Sequence, residues 1–276
     1  MLSCMKVAFW HLKSWKGSAR TIVVLILAIV MTVYQSMEYI GYAKELGEII
    51  NCFETYILVI NNHVYSTVMF VLVLVLFSDA PFMDNNSLYV VSRIGRYRWC
   101  IGKILYIIIA TVVFNLVCML TTVIVSIPYS YPGDIWSSTF LGVVNGDAVQ
   151  LGYQAMFDNR EVIYVFNPLK IALISMGLKI LLNILMGMML FVLNIVNGKV
   201  LGYAVVSILY FAEYTVSGME IAKFMLIQNS IFAMQKGFSD IKWTLMYFGG
   251  IIIVCIITAL LMIRKVDYKI TLGERV

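Results

Sequence analysis

The chain has 276 residues, of which 62% are hydrophobic and 13% charged, with a formal net charge of +5. Soluble domains carry about a quarter charged residues. A chain this apolar cannot hide its surface from water, so its solvent is lipid and a water-soluble enzyme is excluded. No hydrophilic stretch is large enough to house a soluble catalytic or nucleotide-binding unit. The cysteines Cys4, Cys52, Cys100, Cys118 and Cys255 show neither CxxC pairing nor metal-ligand spacing, and read as isolated small hydrophobes.

In chain order, residues 1–20 come first as an amphipathic stretch. Met5, Phe9 and Leu12 fall on one helical face, Lys6 and Lys13 on another, and Trp10 and Trp15 suit the headgroup level. This predicts an interfacial helix on the cytoplasmic leaflet. A helical span needs about 20 apolar residues, because a core of ~30 Å is crossed at ~1.5 Å per residue. Six runs qualify: 21–40, 56–77, 104–127, 169–193, 200–217 and 243–263. The first lacks a small-x-small cleavage site and reads as an uncleaved span. The fifth is the weakest, being short and carrying Glu213. The tight turn at 194–199 makes the fourth and fifth spans an antiparallel hairpin. Residues 218–242 hold an apolar stretch, 221–234, too short to span, with the length of a re-entrant or interfacial helix.

Lysine and arginine placement sets the orientation. With both termini inside, segments 1–20, 78–103, 194–199 and 264–276 carry 13 bases and four acids. Lys103 is among those bases. Segments 41–55, 128–168 and 218–242 carry five bases and nine acids. The expectation is an all-α, multi-pass protein of the cell membrane with six spans and both termini cytoplasmic. It contacts membrane lipids and has no nucleic-acid partner.

No HExxH, GxSxG, GxGxxG or Walker lysine loop is present. No catalytic, cofactor or metal set is therefore assigned. His11 and His63 read as hydrogen-bonded packing residues. The most informative segment is FSDAPFMDNNSLYVVSRIGRYRWCIGKILY, residues 77–106. Pro81 can open a helix, Asp84 to Ser87 offer caps, and Leu88, Val91 and Ile94 repeat at helical spacing. Arg93, Arg96 and Arg98 then form a basic cluster. Charge alone leaves two readings open, a basic loop that sets topology or a docking element for a cytoplasmic partner.

With its aromatic-Ser-Asp-x-Pro-Phe opening (Phe77 to Phe82) and Arg-x-Gly-Arg centre (Arg93 to Arg96), the loop resembles the first cytoplasmic loop of permease subunits of type-2 ABC exporters. The layout also resembles that family: an N-terminal amphipathic helix, six spans, a helical loop after span two and a partly buried helix before span six. The resemblance implies that 81–98, with Pro81, Leu88, Tyr89, Arg93, Arg96 and Arg98, is a coupling helix seated in an ATP-hydrolysing subunit. That subunit would be a separate chain, because no ATPase domain is present here. A second permease subunit, the same chain or another, would complete the pathway.

Ionisable residues inside spans are the last clue. Lys179 lies mid-span, too deep to snorkel fully out. Ser175, Lys179 and Asn183 recur every four residues on one face, continued by Gly187. Glu213 on the neighbouring span is the nearest candidate counter-charge, and Asn115 and Thr122 add polarity to span three. These groups read either as a translocation path or as an interhelical polar clamp. The rival class is a stand-alone membrane protein, a secondary transporter or a bacteriocin-immunity-type protein. Secondary transporters tend to have inverted repeats and broken helices, and the sequence displays neither.

Overall fold

The computed structural model describes residues 2–82, 87–157, 159–197, 199–212, 224–235 and 238–264. The described chain is overwhelmingly helical. In order it forms α1 Leu2–Lys13, α2 Ala19–Leu46, α3 Glu54–Asn61, α4 His63–Leu76, α5 Ser87–Ile94, α6 Arg96–Ser126 and α7 Ser138–Asn145. Then follow α8 Asp147–Gln150, α9 Glu161–Val165, α10 Pro168–Asn197, α11 Lys199–Phe211, α12 Leu226–Ser230 and α13 Phe238–Met262. Four of these helices, α2, α6, α10 and α13, are long and apolar enough to cross a membrane, and the pair α3–α4 makes a fifth if counted as one span. This is an all-α architecture with the helices of a multi-pass membrane protein.

The long helices sit where the apolar runs place them, and their ends follow from local chemistry. Ser18 caps α2 by accepting from the Thr21 amide, and Gly47, at φ 68°, closes it in the left-handed conformation that glycine tolerates. Gly95, at φ 86°, separates α5 from α6. The helix α6 therefore begins at Arg96, eight residues before the apolar run itself. Hydropathy does not register that first polar turn, although the backbone continues through it.

The second apolar run differs from its expected form. It is not one straight helix but two, α3 and α4, bent by 73° at Asn62. Asn62 takes an extended conformation, and its side chain accepts from the Tyr65 amide at 3.0 Å, so it caps the second half. Asparagine competes with the helix for its own backbone groups, and two in succession give the chain an alternative to continuing. The fifth run is helical as α11, which at 13 residues is shorter than a span. Its expected continuation through 217 lies outside the described residues, so five of the six expected spans have a helical counterpart of sufficient length, one of them broken.

The helices pack around α10 and α6. One apolar core joins α2, α4, α6, α10 and α13, with Phe77, Trp99, Phe114, Leu185 and Phe191 almost fully buried. Gly187 permits close approach there, since a Cβ at that position would lie 2.7 Å from Ile107 Cγ2. The helix α1 lies against the start of α6. Gly102 admits Val7 so closely that an added Cβ would come within 2.8 Å of the Val7 Cβ.

A second core closes the other end, where Tyr39, Ile50, Ile57, Phe140 and Ile171 meet. Ile50–Asn51 pairs in parallel with Ser130–Tyr131 across that end. Glu54, at the head of α3, is fully buried there. Its carboxylate accepts from the Asn51 and Ser137 amides at 2.9 and 2.7 Å, and from the Ser137 and Tyr39 hydroxyls at 2.6 and 2.8 Å. Those four donors replace water, which is what makes a buried carboxylate tolerable. They tie α2, α3 and the 130–137 segment into a cap.

Candidate functional site: a buried lysine and an anchored loop

The polar stripe on α10 is internal. Ser175, Lys179 and Asn183 are 1%, 7% and 7% exposed, so the face carrying them meets protein rather than the surroundings. An ammonium in such a place is costly unless hydrogen-bonded. Lys179 Nζ donates to Ser66 Oγ at 2.8 Å and to Ser230 Oγ at 3.1 Å. Each hydroxyl spends its own proton on a backbone carbonyl, Ser66 on Asn62 and Ser230 on Ile227. Their lone pairs therefore face the cation, and hydrogen bonds of this charged kind are worth about 1.5–3 kcal/mol each. One turn earlier, Ser175 Oγ accepts from Asn61 Nδ2 at 3.2 Å, and Asn61 Oδ1 accepts from the Ala233 amide at 3.2 Å.

Three elements thus converge on α10: the break between α3 and α4, the buried segment 226–234, and α10 itself. Behind them Gln235 Nε2 donates to the Asn229 carbonyl at 2.6 Å, and Thr244 donates to Asn229 Oδ1 at 3.0 Å. Of the expected polar residues, Asn183 is buried on the same stripe. Asn115 stands apart and donates to Thr111 of its own helix. Glu213 lies outside the described residues. Ser66, Ser230 and Asn61 belong to the cluster and carried no individual signal in the sequence beyond the Asn-Asn pair. A serine in an apolar helix is common, and its partner lies 113 or 51 residues away.

The loop after α4 has a fixed root and an exposed tip. At the root Arg20 pairs with Asp79 at 2.9 Å and donates to Ser78 Oγ at 2.7 Å. Asn194 Nδ2 donates to the Ala80 carbonyl at 3.0 Å. Pro81 and Phe82 are buried, and Phe82 stacks near Phe191 with ring centroids 6.2 Å apart. Lys103, counted from sequence among the surface bases, is fully buried here. Its Nζ donates to the Phe82 carbonyl at 2.6 Å, contacts His11 Nε2, and lies 5.1 Å from the Trp99 ring centroid. Burial, then the Lys103 charge, lowers His11 to about 3, so its ring is neutral and accepts from the lysine. Trp15 Nε1 donates to Tyr106 OH at 2.9 Å and pins the end of α1 to α6.

The tip is otherwise. Tyr89 is 76% exposed, and Arg93 and Arg98 are exposed. Arg96 is also exposed and reaches the Arg264 carbonyl at 2.6 Å. Residues 83–86 lie outside the described residues, and of the Leu88 side chain nothing is described. No group of three or more metal-ligating side chains occurs among the described residues.

No family model, curated protein or solved structure matches this chain.

Proposed function

We propose that this chain is the membrane subunit of an ATP-driven exporter of the type-2 ABC permease class. It would form the translocation path with a second permease subunit and work through a separate ATPase subunit that performs the hydrolysis. The observation that carries the reading is the loop of residues 77–98. Its root is tied to α2, α6 and α10 by named hydrogen bonds, while Tyr89 and Arg93, four residues apart on one face of α5, are exposed. A root fixed to the helices beneath an exposed aromatic and basic face is the shape of an element that receives force from a partner and passes it to helices.

In this reading the run 200–217 is the fifth of six spans, α1 lies on the cytoplasmic leaflet, and both termini are cytoplasmic. The excess of bases in 1–20, 78–103 and 264–276 supports that orientation. Burial of Lys103 removes one base from the surface count without changing the balance. Cysteines introduced at Asn86 and Ser138 in a cysteine-free background are expected to label from opposite sides of the membrane. Labelling of both from outside would defeat the topology.

One observation favours the rival, a stand-alone secondary transporter. The break at Asn62, beside a buried lysine, is the kind of discontinuous helix such proteins use at their binding sites. Extraction in mild detergent followed by identification of co-purifying chains separates the two. The exporter reading expects an ATPase subunit in defined stoichiometry. Recovery of the chain alone, active in transport without ATP, would overturn it in favour of the rival.

A further inference from the structure

A cleft of about 210 Å³ opens beside the helix break, and neither the anchored loop nor Lys179 gives it a role. One wall is α2, presenting Gln35 and Glu38. The turn with Asn62 and His63 forms another, and Gln154 lies across from them. Leu58, Val64 and Met156 supply its apolar lining.

The polar groups of this cleft differ in whether they are already used. Asn61 spends its amide on Ile57 and Ser175 and its oxygen on Ala233, and Asn62 Oδ1 holds the Tyr65 amide. Gln35, Glu38 and Gln154 make no hydrogen bond among the described residues. The lining therefore offers one uncommitted carboxylate and two uncommitted amides. No lysine or arginine lines it among the described residues.

The surrounding field has the same sign. Tyr153 donates to Glu45 at 2.7 Å. That hydrogen bond first, then burial and the negative charges of Glu45 and Glu38, push its phenol above the ordinary value. Lys44, on the same turn as Glu45, is turned onto the Tyr129 ring at 4.2 Å. The volume is below the usual range for a whole drug-sized ligand, about 300–1,000 Å³. It suits a head group and its first few methylenes. Tyr34 and Met37, next to Gln35 and Glu38 on α2, and the lining residue Val64 are 65%, 50% and 65% exposed, apolar surface along which a chain would continue into lipid.

We propose that this cleft binds the ammonium end of a single-chain cationic amphiphile. Glu38 is its counter-charge, Gln35 and Gln154 its hydrogen-bond partners, and Leu58, Val64 and Met156 the seat of its tail. The inference rests on the exporter reading only for regarding such an amphiphile as cargo, and binding itself does not depend on that.

The test uses the full chain in phosphatidylcholine nanodiscs. One photoreactive decyl probe carries an ammonium head, and a second of equal length carries a sulfate head. The ammonium probe is expected to label peptides containing 58–64 and 154–156. Glu38→Gln is expected to lower that yield about tenfold, and Glu38→Lys to shift labelling toward the sulfate probe. Equal labelling by both probes, or labelling indifferent to Glu38 in a variant with wild-type gel-filtration behaviour, would overturn the site. Glu38-dependent labelling of a chain that never transports the ammonium probe with any ATPase partner would uphold the site while removing the amphiphile as cargo.

Discussion

Among the described residues two lysines are buried, and they are held in different ways. Lys103, at the α1 end, has a backbone carbonyl, a neutral imidazole and an aromatic face around its ammonium. Lys179, within α10, has two serine hydroxyls from elements far apart in sequence. A main-chain carbonyl in a packed turn and a ring wedged between helices cannot turn away from the charge. A hydroxyl rotates freely and can exchange one partner for another. The first arrangement fixes α1, the loop root and α6 as one body. The second joins the broken span, α10 and segment 226–234 through contacts that are easily remade. The comparison assigns rigidity to the Lys103 end and releasable contact to the Lys179 end.

Four substitutions or titrations probe this contrast, beginning where the structure has most to lose. Lys103→Ala leaves the Phe82 carbonyl and the His11 ring facing a void, and opens the α1–α6 seam. Each buried acceptor left without its donor costs about 1–3 kcal/mol. The expected outcome is a marked fall in thermal midpoint in detergent, with new protease cleavage within residues 1–18. An unchanged midpoint would mean that Lys103 is not the rivet described.

The second probe is acid. His11 is held near 3 in the folded chain against about 6.5 when free. A base whose folded value is depressed takes up more protons when unfolded. The stability it supports is therefore complete above about 6.5 and is lost as pH falls toward 3, at no more than ~1.4 kcal/mol per pH unit. Docking of α1 is expected to weaken over that window, read as protease sensitivity of residues 1–18. His11→Gln keeps an acceptor for Lys103 but does not titrate, and is expected to flatten the dependence. The same slope in both proteins would assign the acid response to other groups.

Lys179→Met is expected to do less to the fold and more to function. It removes an intramembrane charge and retains the length of the stem. Ser66 and Ser230 keep their bonds to Asn62 and Ile227, so no donor is orphaned. Stability is expected within about 1 kcal/mol of the parent, while under the exporter proposal transport or assembly with the partner subunits falls. A variant that unfolds like Lys103→Ala would erase the contrast between the two sites.

What the sequence made legible divides along the same line. The runs that became α2, α6, α10 and α13 are visible because twenty apolar residues have one solution in lipid. The stripe Ser175, Lys179 and Asn183 is visible because helical spacing puts them on one face. The break at Asn62 leaves little trace in the sequence, because the run 56–77 stays apolar on both sides and only Asn61 and Asn62 mark the turn. From sequence Lys103 counts as a surface base, because a lysine just before an apolar run usually is one. Its burial depends on α1 folding back, with Val7 against Gly102, a contact between residues 95 apart. Tertiary pairings of this kind leave no local pattern.

The smallest expected effect on the fold tests the functional proposal most directly. Tyr89 and Arg93 are exposed, and surface substitutions away from caps and networks change stability by about 0.5 kcal/mol or less. Replacing both with Ala should leave the thermal midpoint, the α1 docking and the labelling topology as they were. Arg96 and Arg98 remain to maintain the charge bias. If the tip docks into an ATPase subunit, however, these are the residue types that dominate such contacts, each costing on the order of 2 kcal/mol or more when truncated. Affinity for the ATPase subunit should then fall ~30-fold for each of the two residues that contributes in full, since 1.4 kcal/mol corresponds to a tenfold change, and recovery after mild extraction should fall with it. Hydrolysis by any subunit that remains should lose its dependence on cargo. If the loop only sets topology, the double variant should match the parent in every measurement. A stable fold with a lost partner would separate the exposed tip from the riveted root beneath it, and equal partner recovery would leave the exporter proposal without its main support.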